Sequence, residues 1–149
     1  MVKRDLIRNI IIAVLAIVLI SLLRVFVLST HRVTEGQAND YIHAGDYVTF
    51  NKNVEPQKKD FILYTVNGKD YIGRVIAGEG KSVTAMDDFL YVNDKSVDEA
   101  YISKDKSAYL ATVSPGNFFT DDFSIATLTD NKQTKIEKGQ YLVLNDNRR

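Results

Sequence analysis

A long apolar run near the N-terminus constrains this 149-residue chain more than any other feature. From Ile10 to Leu28 only Ser21 and Arg24 interrupt an otherwise apolar sequence. At about 1.5 Å per residue, a helix over this run covers nearly all of the ~30 Å hydrocarbon core of a bilayer. The sequence therefore predicts one transmembrane helix over residues 10–28 that contacts membrane lipid, after a short segment at 1–9.

Charge around the run predicts its orientation. Lys3, Arg4 and Arg8 precede it, and such clusters favour the cytoplasmic side. Residues 29–149 are then predicted to form a domain outside the cytoplasm, held at the cell membrane by a single pass. A cleavable signal peptide is the alternative interpretation. The length of the run, and the lack of a small-x-small site directly after it, favour an uncleaved anchor.

Composition excludes several classes of function. Lys and Arg together number 19, as do Asp and Glu, so the formal net charge of 0 gives nucleic-acid binding no support. The chain has no cysteine, which excludes disulfides, thiol chemistry and cysteine zinc sites. His31 and His43 are the two histidines, and without an acidic cluster they make a poor metal site. We predict no metal and no cofactor, and interpret both histidines as surface residues near the membrane.

Beyond the apolar run, short alternating segments separated by turn signals predict a mostly β fold. The predicted strands are 46–50, 60–66, 70–77, 89–93 and 140–146. Asn67–Asp70 predicts a tight hairpin, because Asn-Gly tolerates positive φ at both positions. Asp40 and Asp46 are interpreted as turn residues. Residues 103–138 are predicted to be an irregular excursion from the sheet, whose aromatic residues fill or cap a small core: Tyr101, Tyr109, Phe118 and Phe119.

Four segments, in order along the chain, carry a resemblance to a known family. They are "RVFVL", "DYIGRVIAGEGKSV", "FLYVNDKSVDEAYI" and "GQYLVLNDNRR". With the preceding anchor, they resemble the membrane-exit segment and the conserved boxes of type I signal peptidases of Gram-positive bacteria. That resemblance implies a β-rich domain after one transmembrane helix, in which a Ser-Lys dyad cleaves exported preproteins. The last box is incomplete, since the sequence ends at Arg149.

The resemblance places neither dyad residue in this chain. Gln37 occupies the position of the serine, or Ala38 if the Glu-Gly pair before it is aligned instead. Gly73 occupies the position of the lysine, directly before Arg-Val-Ile. A glutamine amide cannot act as an acyl-forming nucleophile, and glycine has no base. Ser29 and Lys81 are candidate replacements, but are interpreted as ordinary solvated or interfacial residues.

These substitutions lead us to expect a catalytically inactive protein that still binds an extended polypeptide. The resemblance extends to signal-peptidase-like proteins of streptococcal pilus loci, which implies an accessory or chaperone role beside a pilin and a sortase. An unconventional signal peptidase and a decayed gene product are the alternatives. The missing lysine at Gly73 predicts a wider cleft. The predicted groove residues are Gln37, Ala38, Asp40, Tyr41, Gly73, Arg74 and Val75.

Overall fold

The first element is one long helix whose side chains are apolar on nearly every face. The computed structural model describes residues 2–149, with side chains from residue 4 onward, and α1 covers Val2–Phe26. The stretch Arg4–Phe26 has a mean hydropathy of 2.7 and none of it is buried against the rest of the protein. A helix with this composition suits a surrounding of lipid. It is long and apolar enough to cross a membrane.

The helix ends two residues before the predicted boundary at Leu28. The Val27 N–H still bonds to the carbonyl of Leu23, but the Val27 carbonyl accepts the N–H of Lys52. The chain thus passes directly from helical to strand pairing, and the first strand starts at Leu28. Our predicted segment 10–28 therefore includes one strand residue, because hydrophobicity alone does not mark where the backbone changes partner.

Nine strands and two short α-helices follow within residues 27–149. They are β1 Leu28–Arg32, β2 Tyr47–Asn51, β3 Phe61–Val66, β4 Lys69–Gly78, β5 Val83–Met86, β6 Phe89–Val92, β7 Lys95–Val97, α2 Ser103–Leu110, β8 Phe123–Ser124, α3 Ile125–Leu128 and β9 Tyr141–Leu144. The strands form three antiparallel sheets with the orders β1-β2, β3-β4-β9 and β7-β6-β5-β8. The predicted β-rich fold is confirmed, and β1, β5, β7 and β8 are strands that our prediction lacked.

The hairpin between β3 and β4 forms where the sequence predicts it. Asn67 and Gly68 adopt φ values of 51° and 77°, and Val66 pairs with Lys69. Positive φ at both central residues gives the twist that tight hairpins need. The hairpin places β4 in the middle of its sheet, with β3 on one side and β9 on the other.

The hydrophobic core lies between the β4 sheet and the β5-β6 sheet. Alternate residues of β5 and β6 point inward, which is the pattern of strands with one buried face. Its buried members are Ile76, Ala77, Val83, Ala85, Leu90, Ile125 and Ile136. This core cluster includes Ile76 and Ala77 of β4, and Ile72 in the N-terminal half of the strand is buried as well.

The segment 103–138 is more regular than predicted. It contains α2, β8 and α3, and β8 extends the sheet by pairing with β5. The Ser124 side chain accepts the Thr127 N–H and so caps α3. Phe119 is buried and its ring lies 5.7 Å from that of Tyr109, as expected of core aromatics, whereas Phe118 is exposed. The polar composition of the segment did not predict these short elements. They are stabilised by tertiary contacts, which leave no periodic pattern in the sequence.

Candidate functional site

The side chain at the expected nucleophile position forms structural hydrogen bonds. Gln37 ends a short 3₁₀ turn over Glu35–Gln37. Its Nε2 donates to the backbone carbonyl of Asp70 at 2.8 Å, and its Oε1 accepts the Thr34 N–H at 3.0 Å. The amide thus joins the turn to the N-terminal half of β4. Gln37 therefore forms a hydrogen-bonded link between two backbone segments.

His31 contacts both Gln37 and Asp70 and so takes part in this hydrogen-bonded link. Its Nε2 lies 3.0 Å from Gln37 Oε1, and its Nδ1 lies 3.7 Å from a carboxylate oxygen of Asp70. Because Gln37 Oε1 can only accept, His31 must carry a proton on Nε2 to make this hydrogen bond. Asp70 also accepts the Thr65 hydroxyl at 2.7 Å. The prediction that His31 is a surface residue is therefore wrong, since its side chain is 17% exposed and hydrogen-bonded, whereas His43 is exposed.

The position expected to hold the general base has no space for a side chain. Gly73 is buried, and a Cβ built on it would lie 2.5 Å from Val143 Cγ1 and 3.2 Å from both the Leu144 carbonyl oxygen and Tyr64 Cε1. Val143 pairs with Val75, two residues from Gly73, and so lies on the same face. Our prediction of a wider cleft at Gly73 is wrong, because Val143 and Tyr64 fill the space that a side chain would take.

The loop after the 3₁₀ turn is held by its own polar groups. Asn39 Oδ1 accepts the backbone N–H groups of Tyr41 and Ile42, and Asp40 forms an ion pair of 2.8 Å with Lys104 of α2. That ion pair raises the pKa of the exposed Lys104 ammonium. Ala38 is half-buried and Tyr41 is exposed, so these positions remain accessible to a partner.

Three of the predicted groove residues are not accessible in this structure. Gly73, Arg74 and Val75 are buried, and β4 is paired with β3 on one side and, from Arg74 onward, with β9 on the other. The free edge of β4 is confined to its N-terminal half. There the Asp70 carbonyl is already occupied by Gln37.

Arg74 forms the main buried ionic contact beside this region. Its Nε and Nη2 donate to the two oxygens of Asp146 at 2.8 and 2.6 Å, a bidentate arrangement with fixed geometry. The guanidinium also lies 4.3 Å from the ring centre of Phe61 and 4.2 Å from that of Tyr101. The hydrogen bonds that Arg74 donates to the Asp146 carboxylate raise the pKa of Arg74, against the opposing effect of burial. The sequence predicts Arg74 only as a groove residue and contains no local signal for this ion pair.

A second buried ion pair lies next to the first. Arg148 contacts Glu99 at 2.7 Å and donates through Nε to the carbonyl of Asn145. Glu99 also accepts the hydroxyl of Tyr101 at 2.7 Å. Burial is the main reason why the pKa of the Tyr101 hydroxyl is raised. The hydrogen bond to the Glu99 carboxylate raises it further. The two ion pairs fasten the chain after β9 to β4 and to the segment before α2. The signal in the sequence was the joint presence of the Arg-Val-Ile and Asp-Asn-Arg boxes.

The arrangement offers no dyad within the described part of the chain. Among the side chains that the structure describes, residues 4–149, there is no hydrogen bond between a serine hydroxyl and a lysine amine, and no group of three or more His, Asp or Glu that could hold a metal. Ser29 lies half-buried on β1, whereas Lys81 is exposed in the turn after β4. What the site offers chemically is a set of hydrogen-bonded backbone segments beside the short free edge of β4.

Comparison with known proteins agrees with the resemblance in the sequence. The family model described as signal peptidase, peptidase S26, matches residues 5–149. A signal peptidase I from Bacillus caldolyticus is 32% identical over 138 residues, which cover 89% of this chain and 72% of the relative. Signal peptidase IB from Staphylococcus aureus is 29% identical over 153 residues, which cover 98% of this chain and 78% of the relative.

The fold gives the same result. The crystal structure of a signal peptidase I from Enterococcus faecalis V583 superposes with a TM-score of 0.55 and 33% sequence identity. The match covers 64% of this chain and 80% of that one. From the family match along nearly the whole sequence, together with this structural likeness, we conclude that the chain belongs to the signal peptidase family, peptidase S26.

Proposed function

We propose that this chain is a membrane-anchored member of the signal peptidase family that binds extended segments of exported polypeptides without cleaving them. The observation that carries the proposal is the bonding of Gln37. Both ends of its amide are engaged by backbone or histidine partners, at the position where the family resemblance calls for a nucleophile. Acyl transfer needs a nucleophile and a base within hydrogen-bond reach of each other.

The packing at Gly73 supports the same proposal. A lysine base in such a position must be held in an apolar pocket that lowers its pKa. Here the space around the Cβ direction is taken by Val143 and Tyr64. The surroundings have adapted to a residue without a side chain, so the loss of the base involves the neighbouring strand as well as position 73.

The second candidate function is that of the relatives themselves, signal peptidase I. It is favoured by the names of the curated relatives and of the solved structure, which are all signal peptidases. These names describe cleaving enzymes and mention neither an inactive protein nor pilus assembly. Cleavage by this chain would need a nucleophile other than the residues at 37 and 38.

The partner and the placement of the protein follow from the proposal. Orientation with the N-terminus in the cytoplasm rests on Lys3, Arg4 and Arg8, and puts the β domain on the outer face of the cell membrane. A polypeptide binder there meets exported chains. A pilin or a sortase remains the partner predicted from the resemblance to proteins of pilus loci.

The test is a paired cleavage and binding assay on the full chain in detergent. A labelled signal-peptide substrate with an Ala-x-Ala site is expected to stay intact over hours and yet to bind with measurable fluorescence anisotropy. The Bacillus caldolyticus relative serves as the cleaving control. Enzyme-dependent cleavage at the Ala-x-Ala site would favour the second candidate, and absence of both cleavage and binding would contradict the two together.

Restoring the dyad tests whether the surroundings have adapted. The double variant Gln37→Ser, Gly73→Lys is expected to remain a poor peptidase, because the serine loses the amide contacts of Gln37 and the lysine collides with Val143. Catalytic groups must be held to within about 0.5 Å of the productive geometry. Efficient cleavage by the double variant would show that the scaffold is intact and only the dyad is missing.

A further inference from the structure

Two strands present a free hydrogen-bonding edge to the same groove. β2 pairs only with β1, and β3 pairs only with β4, within the residues that the structure describes. A groove of about 630 Å³ lies between them and is lined by Thr49–Asn51 of β2 and Phe61–Leu63 of β3. The two strands are not bonded to each other. Unpaired edges of this kind are templates for a further strand.

The backbone hydrogen bonds at the two ends of the β1-β2 ladder fix which residues of β2 face the groove. The Lys52 N–H bonds to the Val27 carbonyl, and the Val33 N–H bonds to that of Asp46. In an antiparallel ladder, bonded and non-bonded pairs alternate. Thr49 pairs with Thr30 at a non-bonded position. The N–H and carbonyl of Thr49, and those of Asn51 two residues on, therefore point away from β1.

The same reasoning applies to β3. The Val75 N–H bonds to the Asp60 carbonyl, which makes that pair a bonded one. Phe61 pairs with Arg74 and Leu63 with Ile72, both at non-bonded positions. The backbone groups of Phe61 and Leu63 thus point away from β4. Each edge of the groove offers N–H and carbonyl groups at every second residue.

The groove is continuous with the end of the membrane helix. Lys52, directly after β2, donates through Nζ to the Val25 carbonyl at 3.0 Å and through its backbone N–H to Val27 at 2.8 Å. Asn53 contacts the Phe26 carbonyl as well. Val54, at the same end of the groove, is 60% exposed. An occupant of the groove would therefore lie next to the point where α1 ends.

We propose that this groove binds one extended polypeptide segment as a strand added between β2 and β3. This inference rests on the proposed function as a polypeptide binder and names a different place from the region around Gln37. Alternating donors and acceptors along both walls match a peptide backbone, which carries the same alternation. A lipid chain has no donors or acceptors to match them. At the other edge of β4, the Asp70 carbonyl is already bonded to Gln37, so the β2-β3 groove offers the longer free edge.

The experiment uses a defined peptide and the full chain in detergent. The probe is acetyl-Lys-Thr-Val-Thr-Val-Thr-Lys-amide, and its control is the same peptide methylated on alternate backbone nitrogens. Amide shifts in NMR spectra are expected to saturate at Thr49, Asn51 and Leu63 with the first peptide. The methylated peptide is expected to bind at least threefold more weakly. Equal binding of both peptides, or shifts confined to the region around Gln37, would overturn the proposal.

A pair of variants at Thr49 tests the edge directly. Thr49→Pro removes the outward N–H without touching the ladder to β1, and Pro is tolerated on an edge strand in that orientation. Thr49→Ala keeps the N–H and removes the side chain. We expect Thr49→Pro to weaken peptide binding roughly threefold to tenfold, the effect of one lost hydrogen bond, and Thr49→Ala to change it little. Equal weakening by both would refute strand addition.

Other occupants give distinct results. Shifts in the groove that depend on protein concentration without peptide would assign it to a second copy of the chain, and shifts caused only by phosphatidylglycerol vesicles would assign it to lipid. Either result overturns the inference. Cleavage of a signal peptide would refute the proposed function but leave peptide binding at Thr49 and Leu63 to be judged by the shifts alone, so the two failures are distinguishable.

Discussion

Adding a single methyl group at Gly73 is expected to destabilise the β domain. In Gly73→Ala the new Cβ lies 2.5 Å from Val143 Cγ1 and 3.2 Å from the Leu144 carbonyl oxygen. Overpacking of this kind typically costs about 1–3 kcal/mol. Replacing a strand glycine by alanine returns roughly 0.5–1 kcal/mol by reducing backbone freedom in the unfolded chain. These ranges leave a net loss of up to about 2.5 kcal/mol, and because a contact of 2.5 Å is severe overpacking, we expect a loss of about 1–2 kcal/mol in the free energy of unfolding.

Urea unfolding followed by tyrosine fluorescence measures this loss. The chain has 8 tyrosines and no tryptophan, and the first tyrosine is Tyr41, so the signal reports only on the β domain. With a slope of about 1–3 kcal/mol per molar urea, the midpoint is expected to fall by roughly 0.5–1 M. Gly36→Ala is the matched control, because a Cβ there meets nothing within 4 Å. Its midpoint is expected to stay within about 0.3 M of the wild type.

A double-mutant cycle tests whether contact with Val143 causes the destabilisation by Gly73→Ala. Val143→Ala removes the atom nearest to the new Cβ, so Gly73→Ala in that background is expected to be neutral or stabilising. The coupling free energy between the two sites should then be about 1–2 kcal/mol. A neutral Gly73→Ala in the wild-type background, or a coupling below ~0.5 kcal/mol, would refute the claim that Val143 fills the space at Gly73.

Three further predictions concern the contacts around β4. Asp146→Ala leaves Arg74 buried without its partner and is expected to lower the free energy of unfolding by about 3–5 kcal/mol, whereas Arg74→Met with Asp146→Leu should recover most of this loss in the same urea assay. Gln37→Ala is expected to cost about 1–2 kcal/mol, chiefly by leaving the part-buried Asp70 carbonyl without its partner, since water can replace Gln37 at the exposed Thr34 N–H; a loss below ~0.5 kcal/mol would contradict the hydrogen-bonded link through Gln37. Tyr101 has a raised pKa in the folded state, so the folded protein binds more protons than the unfolded chain above the ordinary value of 10.0. Stability is therefore complete below about pH 10 and falls as the pH rises beyond it, by at most ~1.4 kcal/mol per pH unit for this group. Tyr101→Phe should reduce the fall in the free energy of unfolding above pH 10. An unchanged dependence on pH in this variant would contradict the role assigned to Tyr101.

Local patterns in the sequence predicted the features that depend on local structure. The alternation of apolar residues predicted the strands of the β3-β4 hairpin and β9, and Asn67-Gly68 predicted the tight turn between β3 and β4. β1 was missed because its residues adjoin the apolar run and carry no alternation of their own. The short elements within 103–138 were missed because tertiary contacts, not hydrophobic periodicity, stabilise them.

Contacts between distant residues could not be predicted in the same way. Gly73 suggested an open space, and only the approach of β9 shows that Val143 fills it. That approach depends on a register shift between Val75 and Ala77, for which the sequence contains no local signal. In the sequence, Gln37 likewise looks only like an inert replacement for the nucleophile. Its structural role depends on a hydrogen bond to the carbonyl of Asp70, 33 residues away.

The pairing of Arg74 with Asp146 also determines when the domain can be completed during synthesis. The two residues are 72 positions apart, so Asp146 leaves the ribosome well after Arg74. Until it emerges, β4 lacks its neighbour β9 and the guanidinium of Arg74 has no counter-charge. An incomplete chain therefore holds an uncovered strand and an uncompensated cation. Such intermediates are prone to aggregation and to capture by other polypeptides, so the time between the emergence of residues 74 and 146 is the interval of greatest exposure.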